Sequence, residues 1–596
     1  MIIFVTFVIL QTLTLVVSTP TKNDYIHKTR LGDIRGLRNT LENIIVYQFR
    51  KIPYAKPPIS SLRFEKPQPF GSWENILNAT AYGPNCMQYL FDNDKRLIPN
   101  WDLSEDCLHL NVIAPNDLNN ESRRPVFIWI HGGGFTNGQG MMFDGSEFVS
   151  TGNVVLVTIN YRLNIFGFVN VGKNSPRNLG LWDQKLAIQW VKENIVDYGG
   201  DSNTITIFGE SARGVSVGLQ AIIPSNIGLF QRAIAQSGSC LSLRNIGASS
   251  EKLTRETGRV LNCSDCQNSQ ALCLNCMRKV EAQELLNGYF RGNQNLNRGF
   301  SMKNTIGPVP DDDLLPNTPN RLLSDPQSAS STMFNSIDFM AGTNDGEAGV
   351  FYFALMSEQT NFNFDLKTGI PSRVLCDNIV PYLSKEVLNA CDHVSHVICT
   401  KYSPEDATSL AQATIQAINF FGDLEMSSLA ARCLDFHTRS RKRSYQYLFT
   451  HKPTWGLISD RPAWLVGANH ADELAFVFSL KRWYPTDVHI NPTEADLSKK
   501  IMSYWHNFGK TGDPNPAGSV EWPQYNSSTV SFMLLGEFRN STVDRFTERM
   551  KFWNEEIPQL IAECPKFSTN TNIANSGLVL KQFVIVLMIC QIYVSI

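Results

Sequence analysis

The sequence GESARG, residues 209–214, contains a serine whose surroundings favour nucleophilic chemistry. β-branched and apolar residues lead up to Phe208 and are then interrupted, which predicts a strand, a sharp turn and the start of a helix. The motif G-x-S-x-G holds a nucleophilic serine on such a strained turn. Ser211 is therefore the candidate nucleophile. Arg213 stands where the motif has its second glycine, and Gly214 follows one position later.

A nucleophilic serine needs a base and an orienting acid, and both have candidates further along the chain. Serine becomes reactive at neutral pH when a histidine takes its proton, while a carboxylate orients the imidazole and stabilises its charged form. Glu347 lies in GTNDGEAG after a predicted strand, and His470 lies in GANHADELAFVF on a predicted loop. Each alone would be an ordinary residue, but the order Ser, Glu, His is that of α/β-hydrolases. We therefore predict a triad of Ser211, Glu347 and His470.

The sequence HGGGF, residues 131–135, is a candidate for stabilising an oxyanion. It follows the apolar run VFIWI, and its glycines let backbone N–H groups approach a bound ligand closely. Such N–H groups stabilise the negative charge that develops on the carbonyl oxygen during acyl transfer. An ordinary glycine turn is the alternative, but the position upstream of the serine matches the HGGG-type turn of esterases.

The segments around these residues predict an α/β fold with a large, mostly parallel sheet. Residues 125–133 and 154–162 are near-continuous apolar runs bounded by turn residues, as in buried strands. Residues 181–195 have helical spacing, and the strand before Ser211 follows them. Strands that alternate with helices in this way form a parallel sheet covered by helices on both faces. We expect one α/β domain, residues 19–566, with long insertions.

Both ends of the chain have the composition of targeting segments. Residues 1–18 form an apolar run that ends in a small residue, which is typical of a signal peptide. Residues 567–596 combine small residues, a polar spacer and a hydrophobic tail, the order of a GPI-anchor signal. A membrane-spanning helix is the alternative, although Lys581 within the tail disfavours a stable span. In either case we expect an extracellular protein attached to the cell membrane by its C-terminal segment.

The cysteines fit an oxidising compartment. The chain has 13, of which Cys590 lies in the C-terminal tail. Two clusters could bind zinc or form disulfides, and in a secreted protein disulfides are the simpler interpretation. The clusters comprise Cys263, Cys266, Cys273 and Cys276, and Cys391, His393, His396 and Cys399. We therefore predict no metal site.

Charge and glycosylation motifs give two further expectations. The formal net charge is −2 and basic residues form no stripe, so nucleic acid is excluded as a partner. The pattern N-x-S/T predicts surface N-glycosylation in a secreted chain. It occurs at Asn78, Asn120, Asn262, Asn526 and Asn540.

Longer motifs give the chain a specific resemblance to a known family. They include KIPYAKPPISSLRF (51–64), SEDCLHLNV (104–112), NYRLNIFGF (160–168), NLGLWDQ (178–184), QSGS (236–239) and KTGDPNP (510–516). With these motifs, nearly the whole chain between its two terminal segments resembles the type B carboxylesterase/cholinesterase family. The resemblance implies the α/β-hydrolase fold, the same triad, and hydrolysis of a small-molecule carboxylic ester without a cofactor. It also implies an oxyanion hole formed by the N–H groups of Gly133, Gly134 and Ala212.

The resemblance also implies disulfides. It suggests the pairs Cys86–Cys107 and Cys263–Cys276. Cys266 and Cys273 are extra cysteines, which we expect to pair with each other within the loop that the Cys263–Cys276 bond closes. Cys433 matches a third family cysteine, but its usual partner is absent because Met550 and Lys551 stand there. Cys564 is a substitute partner for Cys433, or alternatively links two subunits into a homodimer.

Arg213 is the main departure from the family pattern. Its side chain must find room close to neighbouring backbone, and an unfavourable backbone conformation there would cost about 1–3 kcal/mol. A guanidinium near His470 would also disfavour the imidazolium that the base must become. A third interpretation is that Arg213 pairs with Glu210 and has become structural. We expect Arg213 to be a handicap but activity to survive, because all three triad residues are present.

The resemblance leaves three functions open, of which a general carboxylesterase is the principal expectation. A cholinesterase is the enzymatic alternative, because Trp101 lies between Cys86 and Cys107, in the loop where cholinesterases hold the choline cation by cation–π contact. Trp101 is closer to Cys107 than the family's tryptophan, and the tryptophan expected after residues 236–239 is absent. The third function is a catalytically weak or silent cell-surface adhesion protein, although such family members generally lose a triad residue.

Overall fold

The computed structural model of the chain describes residues 23–89, 101–119, 121–173, 175–242, 246, 249–263, 266, 269–297, 305–347, 359, 362–403, 409–456, 461–536 and 540–565. The predicted signal peptide, the predicted anchor segment and Asn120 lie outside these residues. Within them, no helix is long and apolar enough to cross a membrane.

Fourteen strands lie in the described residues, and twelve of them form one sheet. The strands are β1 (Asp24–Thr29), β2 (Gly32–Leu41), β3 (Ile44–Pro53), β4 (Leu77–Asn78), β5 (Asn85–Cys86), β6 (Leu103–Ser104), β7 (His109–Pro115), β8 (Arg124–Ile130), β9 (Val155–Ile159), β10 (Gly200–Glu210), β11 (Arg232–Gln236), β12 (Asp338–Asn344), β13 (Ser444–Phe449) and β14 (Met533–Leu535). The sheet has the order β1-β2-β3-β7-β9-β8-β10-β11-β12-β13-β14, with β4 beside β2, and β5 pairs with β6.

Most of the central sheet is parallel. Along the sheet order from β9 to β14, every neighbouring pair is parallel. The pairs from β1 to β9 are antiparallel and form one side of the sheet. The prediction of an α/β fold with a large, mostly parallel sheet is therefore confirmed.

Helices connect the strands and cover both faces of the sheet. They are α1 (Ser146–Gly152), α2 (Asn164–Phe168), α3 (Leu179–Asn194), α4 (Ala212–Gln220), α5 (Ser250–Val260), α6 (Gln270–Lys279), α7 (Ala282–Leu296), α8 (Pro319–Ser324), α9 (Ala329–Phe334), α10 (Ser372–Val374), α11 (Val380–Glu386), α12 (Asp392–Tyr402), α13 (Leu410–Gly422), α14 (Ser428–His437), α15 (Leu474–Phe478), α16 (Leu480–Trp483), α17 (Pro492–Thr511), α18 (Asn540–Lys551) and α19 (Ile557–Glu563). Short 3₁₀ turns lie at Ser60–Leu62, Gly140–Met142, Ile195–Tyr198 and Pro224–Asn226, and π-helical turns at Leu375–Ile379, Asp423–Ser427 and Phe552–Glu556.

Strand β8 shows why both faces of the sheet need cover. Successive side chains of a strand point to opposite faces. Val126, Ile128 and Ile130 belong to the apolar core that contains α3 and α4. Phe127 and Trp129 belong to the core that contains α1 and α17. Because all five side chains are fully buried, the strand reads as a continuous apolar run, which is the pattern that predicted it.

The parallel strands bring the predicted site residues to one edge of the sheet. Strand β10 lies between β8 and β11 and is parallel to both. The carboxyl ends of parallel strands therefore lie at the same edge, where α/β proteins bind ligands. His131 follows β8, Ser211 follows β10, and Glu347 lies just after β12. The topology thus places the glycine turn, the candidate nucleophile and the candidate acid at the same edge of the sheet.

Ten cysteines of the described residues form five disulfides. The pairs are Cys86–Cys107, Cys263–Cys276, Cys266–Cys273, Cys376–Cys399 and Cys391–Cys564. All six cysteines of the two clusters considered for zinc are therefore used in disulfides. The structure corrects the expectation for Cys564, which pairs with Cys391 rather than with Cys433 or a second subunit. The cause is packing between two helices that are distant in sequence. Cys564 follows α19 and Cys391 precedes α12, and these two helices pack against each other.

A buried ion pair ties the end of β9 to α3. The Arg162 guanidinium donates to both carboxylate oxygens of Asp183, at 2.8 and 2.7 Å, and the Arg162 backbone N–H donates to the same carboxylate at 3.0 Å. The two side chains are 4 % and 0 % exposed. The guanidinium also donates to the Glu65 carbonyl at 2.8 Å. Both charges are therefore paired and hydrogen-bonded, which is the condition for burying them.

We expect Asp183→Asn to lower the free energy of unfolding by about 3–5 kcal/mol, because it leaves the buried Arg162 guanidinium without its carboxylate. Thermal and denaturant unfolding of the purified variant measure this loss. The matched control is Glu42→Gln, the same kind of change in an ion pair with Lys481 whose side chains are 74 % and 63 % exposed. Exposed pairs contribute little, so the control should unfold nearly as the parent does. Equal losses in the two variants would contradict the prediction.

Candidate active site

Ser211 lies in a strained turn between β10 and α4. Its φ of 64° and ψ of −130° form a conformation that residues with side chains rarely adopt. The Ser211 N–H donates to the Gln236 carbonyl of β11 at 2.9 Å, and the Ser211 carbonyl accepts from the Val215 N–H at 3.0 Å. Strain of this kind, about 1–3 kcal/mol, persists where the surroundings impose it. The turn presents the serine at the carboxyl edge of the sheet, as in the G-x-S-x-G motif.

Glu347 and His470 form a short hydrogen bond at the same edge. His470 Nδ1 donates to Glu347 Oε2 at 2.6 Å. The other oxygen of Glu347 accepts from the Asn344 N–H at 2.7 Å, which fixes the carboxylate. The two loops are joined by backbone, because the Gly346 N–H donates to the Ala468 carbonyl at 2.8 Å. The acid and the imidazole are therefore held together by their loops as well as by their side chains.

The other ring nitrogen of His470 faces a residue that the predicted triad did not include. His470 Nε2 lies 3.0 Å from Glu210 Oε1, and the imidazole is 10 % exposed. Among the described residues, Nε2 therefore faces Glu210 and makes no hydrogen bond with Ser211 Oγ. The structure therefore brings Ser211, Glu347 and His470 to one site, with the imidazole between two carboxylates.

This arrangement favours the charged form of His470. Burial on its own lowers the pKa of the imidazole, but the Glu210 and Glu347 carboxylates outweigh burial and raise the pKa well above its ordinary value. The two carboxylates therefore stabilise the imidazolium form of His470 relative to the neutral form. A histidine can accept a proton only when it is neutral, so this charge must be lost before His470 acts as a base.

Glu473 is a buried acid at the site that the sequence analysis missed. Glu473 accepts hydrogen bonds from Gln236 Nε2 at 3.1 Å and from Asn344 Nδ2 at 2.8 Å. Burial raises its pKa to about 8, and the neighbouring Glu210 and Glu347 carboxylates add to this effect. Burial thus favours the neutral form of Glu473, which limits the negative charge at the site. The sequence signal was the run HADE, in which two acids follow the candidate base after one alanine.

Asp472, the other acid of that run, fixes the loop of the candidate base. Its carboxylate accepts from Arg461 at 2.5 and 2.6 Å and from the Asn469 N–H at 2.6 Å. Burial raises the pKa of Asp472 to about 6, although Arg461 opposes this. The hydrogen bond to Asn469 closes the turn that carries His470.

The glycine turn after β8 presents backbone N–H groups near the Ser211 turn. Gly133 has a φ of 106°, and a Cβ there would collide with Asn137, so glycine is required. In the described residues, no hydrogen bond takes the N–H of Gly133 or Gly134. Ala212 is the first residue of α4, where N–H groups have no acceptor within the helix. These three groups are those expected to form an oxyanion hole.

Arg213 lies beneath the Ser211 turn, in a buried aromatic setting. Its guanidinium carbon is 5.1 Å from the centroid of the Trp129 ring and 4.7 Å from that of Phe143. Its Nη1 lies 3.6 Å from Glu210 Oε2, and its side chain is 9 % exposed. Gly132 provides the room, because a Cβ there would lie 2.5 Å from Arg213 Nε. The arginine is therefore held by cation–π contacts and by the charge of Glu210.

The expectation that Arg213 is a handicap does not agree with these contacts. Arg213 belongs to α4 and does not have a left-handed φ, so its backbone is unstrained. Its guanidinium faces one oxygen of Glu210 while His470 faces the other. The pKa of His470 is raised rather than lowered. The structure thus favours the third interpretation, in which Arg213 is a structural partner of Glu210.

The parallel sheet, the Ser211 turn and the Glu347–His470 pair together define a protein of the α/β-hydrolase class. A family model described as the Carboxylesterase family matches residues 23–553, and the chain belongs to this family. It is 30 % identical over 561 residues to liver carboxylesterase of Sus scrofa, covering 90 % of this chain and 94 % of that protein. It is 32 % identical over 558 residues to carboxylesterase 1D of Rattus norvegicus, covering 90 % and 93 %. It is also 30 % identical over 594 residues to neuroligin-2 of Mus musculus, covering 89 % and 67 %.

The remaining predicted positions are the glycan acceptors and Trp101. Asn78, Asn262 and Asn526 are exposed, as glycan acceptors must be, and Asn540 begins α18. Trp101 is partly buried within the loop closed by the Cys86–Cys107 disulfide. N-glycosylation and a role for Trp101 in binding choline stay predictions.

We expect Arg213→Gly to lower thermal stability and kcat/KM together, because it removes one of the two cationic groups beside the buried Glu210 carboxylate. Removing one partner of a buried pair costs about 3 kcal/mol or more. The measurements are the unfolding midpoint and the rate of aryl-ester hydrolysis for the same preparation. Arg213→Lys is the matched control, because it keeps the charge but loses the planar stacking on the aromatic rings, and it should recover part of the stability.

A rise in kcat/KM of the Arg213→Gly variant, with an unchanged unfolding midpoint, would contradict this assignment. It would show that the arginine is a handicap after all.

Proposed function

We propose that the protein is a serine carboxylesterase that hydrolyses small-molecule carboxylic esters through an acyl-enzyme. The observation that carries the proposal is the strained Ser211 turn beside the Glu347–His470 hydrogen bond. Membership of the Carboxylesterase family supports it. The reaction needs a nucleophile, a base held in one orientation and donors for an oxyanion, and the site contains a candidate for each.

In acylation, Ser211 Oγ attacks the ester carbonyl carbon while His470 Nε2 takes the hydroxyl proton. Glu347 Oε2 holds the Nδ1 proton of the imidazole and stabilises the imidazolium that forms. The N–H groups of Gly133, Gly134 and Ala212 donate hydrogen bonds to the carbonyl oxygen and stabilise the negative charge that develops on it. The C–O bond then breaks, and the alcohol leaves with the proton from His470. Water then attacks the carbonyl carbon of the acyl-enzyme while His470 takes its proton, and the carboxylic acid is released from Ser211.

This mechanism requires His470 Nε2 to leave its contact with Glu210 and to contact Ser211. In the structure Nε2 lies beside Glu210 Oε1, whereas acylation needs it beside Ser211 Oγ. Glu210 and Ser211 are adjacent in the chain, so the imidazole would have to turn from one residue to the next. Catalytic hydrogen bonds often tighten only when substrate binds, and the Ser–His contact would form at that stage.

The substrate follows from the family as a proposal. A general carboxylic ester is our first choice, and a choline ester is the alternative because Trp101 lies in the Cys86–Cys107 loop. Parallel assays with an aryl ester and a choline ester of the same acyl group separate the two. The five disulfides support an oxidising, extracellular location, and attachment to the membrane through residues 567–596 belongs to the same proposal.

A second candidate is a cell-surface binding protein with little or no catalysis. The observation that favours it is the imidazole held between two carboxylates, together with the similarity to neuroligin-2. An organophosphonate serine probe separates the candidates, because it labels only an activated serine. Labelling of Ser211 in the intact protein would support the esterase, and a folded protein without labelling would support the second candidate.

We expect Ser211→Ala to reduce the hydrolysis of short-chain aryl esters by about three orders of magnitude or more. Glu347→Gln and His470→Ala should each lose most of the activity, because the base loses its orientation or is removed. The assay is kcat/KM with protein whose fold is checked by its unfolding midpoint. Ser336→Ala is the matched control, since among the described residues the Ser336 hydroxyl donates only to Met333, to its carbonyl and its sulfur, before the start of β12. Hydrolysis by Ser211→Ala at the parent's rate would show that the nucleophile is misassigned.

The raised pKa of His470 gives a prediction for the pH dependence. The neutral imidazole is the active form, so kcat/KM should rise with pH along a limb that lies at higher pH than that of an ordinary histidine. Glu210→Gln removes one of the carboxylates that favour the imidazolium, and it should move this limb to lower pH. The exposed Glu65, which pairs with Arg278, supplies the control variant Glu65→Gln, whose limb should stay where it is. A limb that does not move in Glu210→Gln would contradict the role of Glu210.

A further inference from the structure

Two buried thiols lie next to each other away from the five disulfides. Among the cysteines that the structure describes, Cys240 and Cys433 are the two that carry free thiols. Their sulfur atoms are 3.7 Å apart, and both side chains are 0 % exposed. With Cys590 outside the described residues, every other cysteine of the chain has a partner.

The backbone around the two thiols is held in place by other contacts. Cys240 lies shortly after β11, and Cys433 lies on α14. Ser239 Oγ donates to the Leu429 carbonyl of α14 at 3.1 Å, and the Leu241 N–H donates to Ser239 Oγ at 3.2 Å. The segment after β11 is therefore held against α14 at Ser239, directly before Cys240. The two sulfur atoms would meet by side-chain rotation, without rearranging this packing.

We propose that Cys240 and Cys433 form a sixth disulfide in the mature protein. The oxidant is a disulfide of the secretory compartment, either a small-molecule or a protein disulfide. One cysteine thiolate attacks it to give a mixed disulfide and one released thiol, and the second thiolate then displaces the remaining thiol. Two protein thiols are oxidised to one disulfide and the oxidant is reduced to two thiols, so the protons and electrons balance.

The bond has to form while the chain is folding. The hydrogen bond with Cys433 and burial both raise the pKa of the Cys240 thiol, so in the folded protein it stays protonated and unreactive. Burial also closes both thiols to an external oxidant. Before the two segments pack against each other, both thiols are exposed to solvent and thiol–disulfide exchange can reach them. Afterwards the same burial protects the bond from reductants.

The bond would join the two sides of the candidate active site. The chain between Cys240 and Cys433 spans a sequence separation of 193 and contains β12 and Glu347. At its first end, Gly238 packs so closely on the Ser211 carbonyl that a Cβ there would collide with it. A covalent link would thus fix the segment that carries the acid to the segment that supports the nucleophile. The long loop makes the expected stabilisation large in the chain-entropy description.

Peptide mapping tests the proposal directly. The full chain is expressed through a secretory pathway, denatured without reductant in the presence of N-ethylmaleimide, digested and analysed by mass spectrometry. We expect a linked peptide containing Cys240 and Cys433, with neither residue alkylated. The Cys391–Cys564 peptide is the internal control for retained disulfides. Alkylation of both Cys240 and Cys433, with Cys391–Cys564 still linked, would overturn the proposal.

Variants provide a second readout. We expect Cys240→Ser and Cys433→Ser each to lower the unfolding midpoint by about 3–8 °C, and the double variant to lose no more than either single variant. In each single variant, the remaining thiol should become alkylated in denaturant without reduction. Two outcomes would contradict the bond and show that the thiols contribute by packing alone. One is that the losses of unfolding midpoint in the two single variants add up in the double variant. The other is that the single variants lose stability although both thiols of the parent protein are alkylated in the mapping experiment.

Discussion

The Glu210 carboxylate joins the two charged groups on which the candidate site depends. One oxygen lies 3.0 Å from His470 Nε2, and the other lies 3.6 Å from Arg213 Nη1. Its side chain is buried, so its charge is tolerated only with cations on both sides. The unusual arginine and the raised pKa of the imidazole are therefore two aspects of one constraint. Glu210 precedes the nucleophile directly, which couples this charge balance to the position of Ser211.

The same constraint sets protein stability against readiness for catalysis. The pKa of His470 is raised in the folded state, so the stabilisation from the charged imidazole is fully present below the unfolded pKa and is lost as pH rises through the folded pKa. The proposed base is active only after that loss. Glu473 adds little negative charge around His470. Burial raises the pKa of Glu473 to about 8, which favours its neutral form over a third carboxylate charge. The site is thus more stable in its resting form than in its reactive one.

The sequence predicted what depends on local patterns and left out what depends on long-range packing. The parallel sheet was predicted from continuous apolar runs such as β8. The chain order of Ser211, Glu347 and His470 predicted that the three residues would come together in one site. The direction of His470 Nε2 and the aromatic setting of Arg213 could not be predicted, because Trp129 and Phe143 lie far from Arg213 in sequence. The Cys391–Cys564 bond was missed for the same reason, since its cysteines are 173 positions apart.

The long insertions also determine how the sheet must assemble. Strand β11 ends at Gln236 and its parallel neighbour β12 begins at Asp338, so a long loop must close before their pairing contributes. Loop-closure entropy makes such non-local pairing slow. The Cys263–Cys276 and Cys266–Cys273 bonds lie inside this insertion and close short loops, with separations of 13 and 7. Early oxidation there would shorten the free chain between the strands, and the time that apolar strand edges stay exposed would then depend on the supply of oxidant during synthesis.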